Sequence, residues 1–446
     1  MRKNRFVISS AYIAALGGLL FGFDTAVISG AERSIQELFQ LDGFWHGFTV
    51  AIALIGTVIG ALTAGKPADF YGRKKVLIVL AALFGISAIG SALATNWHAF
   101  LFFRFIGGLG VGASSVIGPM YIAEISPARF RGRLVGLFQL NVVAGILLAF
   151  LSNYLVNQWV SNSAWRWMLG VEALPAILFL VLLFRIPQTP RWLVIRGQYT
   201  EALDLLRRLS SDNPKNELAE IKQSVNQGVN ANADALFSKR YFVPIMLAFL
   251  LAFFNQMSGI NAIMYYAPRI FEMAGFGTGS ALLQSVSIGL TNFIFTLVGM
   301  AIIDRVGRKK LLLTGALGTA FFLAMVASIL FRQSAENSWM VIYLVGFIAF
   351  FALSQGAVIW VFISEIFPNR VRAKGQAFGS FTHWFMAALV SWVFPVIAQS
   401  GDNGGGVAFV IFAVFMVLQF FVVWRFFPET KGKSLEEIEK DMCFSK

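Results

Sequence analysis

Asp69-Phe70-Tyr71-Gly72-Arg73-Lys74-Lys75 separates one long apolar run from the next, and 235 residues later Asp304-Arg305-Val306-Gly307-Arg308-Lys309-Lys310 does the same. Glu124 and Arg131, seven apart, return as Glu365 and Arg372. Pro187-Gln188-Thr189 returns as Pro428-Glu429-Thr430, and both of these pairs are offset by 241. Segments that recur in the same order at nearly the same offset define an internal duplication running through each half of the chain. Parallel repeats of membrane-spanning helices, related by an axis along the membrane normal, build a cavity at their interface near the bilayer midplane.

The composition requires a membrane. Of 446 residues, 57% are hydrophobic and only 13% charged, and the mean hydropathy is +0.70. Those values lie outside the range of soluble domains. Twelve spans fit, over 6–31, 45–68, 76–95, 97–121, 133–158, 166–187, 241–270, 279–303, 309–330, 338–364, 374–399 and 406–427. With this assignment 31 of the 36 Lys and Arg fall on one side; the others are Arg33, Arg104, Arg166, Arg269 and Arg332. That bias predicts cytoplasmic termini, and it accounts for the net charge of +13 without nucleic acid.

The expected fold is therefore an all-α polytopic membrane protein with twelve transmembrane helices in two six-helix pseudo-symmetric halves. Residues 1–187 form the first half and 241–427 the second. Residues 188–240 form a polar cytoplasmic linker in which Leu203, Leu206, Leu209, Leu218 and Ile221 predict short amphipathic helices. Residues 428–446 form a cytoplasmic tail. The first span is too long for a signal-peptide core and reads as an uncleaved helix. The single cysteine, Cys443, allows no internal disulfide and no cysteine-rich metal site. The absence of an Asn-x-Ser/Thr sequon fits a bacterial inner membrane.

Further ordered motifs accompany the repeat. They are Gly65-x3-Asp69-x2-Gly72-Arg73, Arg104-x2-Gly107-x2-Gly110-x-Gly112, Tyr121-x2-Glu124-x6-Arg131-Gly132, Trp165-Arg166-Trp167 and Pro190-Arg191-Trp192-Leu193. Later come Gln256-x2-Gly259-Ile260-Asn261-x3-Tyr265-Tyr266, Ser364-Glu365-Ile366-Phe367-Pro368 and Pro428-Glu429-Thr430-Lys431-Gly432. Over nearly the full chain these resemble the sugar-porter family of the major facilitator superfamily. The resemblance implies the major facilitator fold and transport of sugars.

Three charges lie inside apolar spans: Asp24, Arg104 and Glu172. Counting from the outer ends of their spans at 1.5 Å per residue puts all three about 10 Å deep. They are expected to form one cluster, in which Arg104 stabilises an ionised carboxylate and an unpaired buried one takes up a proton. An intramembrane carboxylate marks function because a charge there costs about 2.5–3.5 kcal/mol on insertion scales. A fixed ion pair that merely aligns helices is the structural alternative. In the family, the equivalent aspartate and arginine are associated with proton coupling.

A sugar is a ring of hydroxyls with an apolar face, so its site needs amides and an aromatic platform. The candidates are Gln139, Asn255, Gln256, Asn261, Tyr265, Asn292, Gly356, Trp360, His383 and Trp384, with Phe21 near Asp24. Asn261 and Tyr265 are four apart and share a helix face. Asn255 and Gln256 would point elsewhere on a straight helix, and a break at Ser258-Gly259 is expected to bring both pairs to one cavity. Trp384 is about 15 Å into its span, too deep for an interfacial belt. Four positions depart from the family pattern. Asn255 stands where a glutamine is usual, and Gln355 and Ala357 replace Trp and Pro around Gly356, so span 10 is expected to bend less. His383 stands where Gln or Asn is usual; it could contact sugar, titrate or simply pack.

Asp69, Arg73, Glu124 and Arg131, with Asp304, Arg308, Glu365 and Arg372, lie at cytoplasmic span ends. They resemble the family's charge network, which implies a gating role. Together these features predict a proton-coupled monosaccharide symporter, taking a hexose or pentose with the proton as co-substrate. It is expected to work in membrane lipid as a monomer, with no cofactor, no metal, no nucleic acid and no catalysis. The rivals are a facilitative uniporter, a transporter of another small solute, and an integral-membrane enzyme, for which no nucleophile–base pair or nucleotide loop is present.

Overall fold

The computed structural model describes residues 2–127, 130–160, 162–209, 213–230, 235–332, 338–368, 370–433 and 437–438. Cys443 and most of the tail lie outside the described residues. Among the described residues, twelve helices are long and apolar enough to cross a membrane. They are Arg5–Gly30 (span 1), Gly43–Thr63 (2), Arg73–Leu93 (3), Trp97–Ile125 (4), Arg131–Trp159 (5) and Ala164–Leu183 (6), followed by Lys239–Tyr265 (7), Thr278–Val306 (8), Arg308–Arg332 (9), Trp339–Ile366 (10), Arg372–Ala398 (11) and Gly404–Phe426 (12). No strand occurs among the described residues. A helix is the form in which one segment satisfies its own backbone groups where no water can.

Local sequence sets where these helices start and stop. Asn96 caps span 4 by accepting from the Ala99 amide at 2.9 Å. The repeated glycines Gly72 and Gly307 hold φ of +91° and +100° at the starts of spans 3 and 9, a conformation that a side chain would strain. Beneath them Gln188 accepts from the Lys74 amide, and Glu429 accepts from those of Arg308 and Lys309. The recurring Pro-Gln/Glu-Thr segment is thus a helix cap supplied from a distant part of the chain.

Several spans differ from their expected extent. Span 2 stops at Thr63, and Gly65–Tyr71 forms a separate short helix containing Pro67. Span 6 stops at Leu183 rather than 187 and is interrupted between Ala164–Gly170 and Ala173–Leu183, with Glu172 at the interruption. Span 7 stops at Tyr265 rather than 270. Ala267–Met273 is a distinct helix, because Pro268 has no N–H to continue the ladder. Span 10 lacks the proline but is not a regular helix: Ala352–Gly356 forms a π-helical turn. In the linker, helices Pro190–Ile195, Tyr199–Arg208 and Pro214–Asn230 form as expected. Tyr199–Arg208 buries Ala202, Leu205 and Leu206, while Leu203 is only half-buried.

The chain forms two compact units. The first comprises Met1–Asp24, Gly56–Ile146 and Leu169–Asn232, and the second Thr25–Ile55, Leu147–Met168 and Ala233–Lys446. In the first, span 3 packs along span 4 and against Ala173–Leu183. In the second, span 9 packs along spans 12 and 10, and span 7 along span 11. The second unit therefore includes stretches from the early part of the sequence, among them the turn between spans 1 and 2.

Candidate functional site

The three intramembrane charges meet inside the first unit. Arg104 Nη1 donates to Asp24 Oδ1 at 2.5 Å, and Nη2 reaches the Asp24 carbonyl at 3.4 Å and Oδ2 at 3.5 Å. Both side chains are almost fully buried, at 2% and 3% exposure. Glu172 is buried too, and lies in electrostatic and hydrogen-bonding reach of Asp24 and in electrostatic reach of Arg104. Gly107 forms part of the wall: a Cβ there would lie 3.5 Å from Asp24 Oδ1 and 2.3 Å from Ser87 Oγ. Two carboxyls thus face one guanidinium in a dry site, and one acid is left without a counter-charge.

Asn255, Gln256, Asn261 and His383 converge in the second unit. Span 7 breaks at Ser258-Gly259, where Gly259 takes φ +79° and begins the short helix Ile260–Tyr265. The break lets Asn261 Nδ2 donate to Gln256 Oε1 at 2.7 Å. Gln256 Nε2 in turn donates to Asn255 Oδ1 at 3.0 Å and lies 3.2 Å from both ring nitrogens of His383. His383 sits against Trp360 and edge-on to Trp384, with ring centroids 4.9 and 4.8 Å apart. Trp360 is 38% exposed whereas Trp384 is buried. Tyr265 and Asn292 are buried on spans 7 and 8, and Gly356 ends the π-turn of span 10. Gln139 and Phe21 belong to the first unit, where both are half-buried.

Gln355, the unusual residue before Gly356, extends this polar chain. Its carbonyl lies 3.5 Å from Asn255 Nδ2, and its own Nε2 donates to Gln419 Oε1 at 2.9 Å. Gln419, fully buried on span 12, was not among the expected residues. A lone amide in a strongly apolar helix was the available signal.

The repeated charges form two separate ion-pair clusters. In the first unit Arg73 pairs with Asp69 and with Glu124, both at 3.0 Å. In the second Arg308 pairs with Asp304 at 3.0 Å and Glu365 at 2.7 Å, and Thr430 donates to Glu365 at 2.7 Å. Arg131 and Arg372 stand outside these pairs. Arg131 is exposed, and Arg372 donates to the Phe367 carbonyl at 3.2 Å.

One cluster was not anticipated. Glu32, on the short helix Glu32–Leu38 after span 1, is 2% exposed. Arg269 grips it with Nε on Oε1 and Nη2 on Oε2, both at 2.9 Å, and also donates to Gln36 Oε1 at 2.7 Å. His46 Nε2 lies 2.7 Å from Glu32 Oε2. Burial pushes the Glu32 carboxyl up, but Arg269 and His46 outweigh it and hold it below its ordinary value. The signal in the sequence was Glu32 and Gln36 at i, i+4, one polar face on a helix of seven residues.

With this geometry in hand, comparisons with known proteins place the chain. The Sugar (and other) transporter family matches residues 10–442. The arabinose-proton symporter of Bacillus subtilis (strain 168) is 38% identical, covering 98% of this chain and 95% of that protein. The D-xylose-proton symporter of Escherichia coli (strain K12) is 36% identical, covering 98% and 96%. Among solved structures, the inward-open conformation of the xylose transporter XylE from E. coli superposes with a TM-score of 0.87 at 35% identity, over 98% of this chain and 100% of that one. XylE bound to 6-bromo-6-deoxy-D-glucose superposes at 0.80 with 36% identity, over 98% and 99%. This multi-pass membrane chain has the major facilitator fold and belongs to the sugar transporter family.

Proposed function

We propose that the protein is a proton-coupled monosaccharide symporter. It moves a pentose or hexose by alternating access across a bacterial inner membrane, with both termini in the cytoplasm and the single chain as the working unit. The observation that carries this reading is the buried Asp24–Arg104 pair with Glu172 beside it. A surplus acid in a water-poor site is a place to hold a proton, and loading it loosens the grip of Arg104 on Asp24. The sugar takes its hydroxyl partners from Gln256, Asn261, His383, Asn255 and Asn292, with Trp360 and Trp384 supplying the apolar platform. Gln139, Tyr265, Gly356 and Phe21 complete the set. The Asp69–Arg73–Glu124 and Asp304–Arg308–Glu365 clusters, with Arg131 and Arg372 beside them, hold the cytoplasmic span ends and gate that side.

Asp24→Asn keeps the shape of the carboxyl and removes its titration. In proteoliposomes this variant should lose uphill accumulation driven by a proton gradient while retaining sugar counterflow. A variant that still concentrates sugar would show that Asp24 is not the coupling site. Uptake that ignores acidification of the outside medium would point instead to a uniporter. Counterflow against a panel of pentoses and hexoses identifies the substrate.

A further inference from the structure

The Glu32–His46–Arg269 cluster joins parts of the chain that alternating access must separate. Glu32 lies on the short helix after span 1 and His46 in the first turn of span 2, whereas Arg269 lies beyond the Tyr266 break that follows span 7. All three belong to the second unit. Under the topology proposed above this is the outer end, closed here by the Arg269–Glu32 ion pair, with one hydrogen bond and a second contact, both at 2.9 Å.

We propose that this cluster is a proton-operated latch on the outer gate, in which a proton on the Glu32–His46 pair replaces Arg269 when the gate opens. The inference rests on the alternating-access reading. His46 Nε2 lies 2.7 Å from Glu32 Oε2, so the imidazole sits directly against the carboxylate. Neither nitrogen of this buried ring has a hydrogen-bond partner among the described residues. While Arg269 is present, its charge balances Glu32 and opposes a second cation on His46. When Arg269 withdraws, Glu32 and His46 remain together on their own segment, one positive charge short. A proton from the outer water joins the Glu32–His46 pair and restores the balance. Reclosure returns that proton to the water, so the latch consumes none over a cycle. Outside acid therefore favours the open gate, as suits a carrier that must meet its proton there.

The groups packed around the cluster do not duplicate this role. Arg33 pairs with Glu37 and Glu272 at the surface, and Asp42 accepts from the Trp45 amide. Tyr266 stands edge-on to His46, and its hydroxyl donates to the Ser391 carbonyl at 3.1 Å. Gln36 also donates to Gln399 on the far side, and neither amide titrates.

The test uses Ser391, whose side chain is fully buried behind Tyr266. Ser391→Cys is placed in a full-length Cys443→Ser protein in proteoliposomes, and a membrane-impermeant maleimide is added outside. Labelling is compared with the same protein carrying Glu32→Gln, and the ratio at each pH cancels the thiol's own pH dependence. Glu32→Gln should label faster than its parent on the order of tenfold at outside pH 8, within the usual range of coupling between states. The ratio should fall toward one at pH 6, where the parent opens as well. Should Glu32→Gln fail to insert, Arg269→Gln is expected to give the same ratios. A ratio near one throughout, or one that ignores pH, overturns the proposal. The assay needs neither sugar nor a proton gradient, so its failure is distinct from a failure of the Asp24→Asn test.

Discussion

The Asp24 cluster sets two carboxyls against one guanidinium, whereas the Glu32 cluster sets one carboxyl against one guanidinium and an imidazole. Both acids are almost entirely removed from water, Asp24 and Glu32 each at 2% exposure. Burial therefore does not distinguish them; the count of charges does. In the first cluster any arrangement of the three groups leaves one acid without a counter-charge. In the second, the charges of Glu32 and Arg269 cancel. A proton is needed there only when Arg269 leaves. The same chemical parts thus give an uncompensated acid in one place and a balanced ion pair in the other.

Removing the arginine from each cluster tests that difference most severely. Arg104→Gln leaves Asp24 and Glu172 facing each other with no cation, and breaking a buried pair in this way costs about 3–5 kcal/mol. Arg269→Gln leaves a single carboxyl with the His46 ring 2.7 Å away, not two carboxyls facing each other, so the loss should be smaller. Thermal unfolding in detergent, followed by tryptophan fluorescence, should rank the variants in that order. Adding Glu172→Gln to Arg104→Gln should recover part of the loss. Equal losses for the two arginine variants would mean that charge count is not what separates the clusters.

The two clusters were not equally legible from sequence. Asp24, Arg104 and Glu172 each interrupt an apolar run, and the fixed rise of a helix turned their positions into a common depth. The structure brings them together, and the break at Gly259 likewise places Asn261 on Gln256. Glu32 lies just past the end of span 1, where a charge reads as solvated, and its partner Arg269 is 237 residues away. Nothing local links them. The spans and the repeat were legible for the same reason as Asp24, since hydropathy and fixed spacing are local properties. Span 7 was drawn past Tyr265 although Pro268 already marked a new helix, and the π-turn of span 10 carries no proline to announce it.

A milder probe of the comparison is acid. The Glu32 carboxyl is held below its ordinary value of 4.5, so its pairing stabilises the fold fully above that pH. The contribution is lost as pH falls through the lowered folded value, because the unfolded carboxyl binds its proton first. At neutral pH, Glu32→Gln should be less stable than the parent by about 1.5–3 kcal/mol, the worth of a hydrogen bond to a charged group. The gap should close as the pH is taken below 4.5. A gap that stays constant into acid would assign Glu32 to packing rather than to charge pairing.

The smallest effect is expected a few ångströms away, and it shows that burial is still a condition even though it does not separate the two clusters. Arg33 pairs with Glu37 at 3.0 Å and with Glu272 at 2.7 Å, distances as short as those of Arg269. Its second pair also links the turn after span 1 to the helix that carries Arg269. Yet the Arg33 side chain is 55% exposed, against 15% for Arg269. Water and salt screen such a pair, and exposed pairs contribute about 0.2–1 kcal/mol. Arg33→Ala should therefore shift the unfolding midpoint by a degree or so at most, and raising the salt concentration should erase even that. The maleimide rate at Ser391→Cys should barely move, whereas Arg269→Gln raises it. If Arg33→Ala opened the gate as far as Arg269→Gln, the short distances alone would be holding it, and the buried imidazole would have no part in the latch.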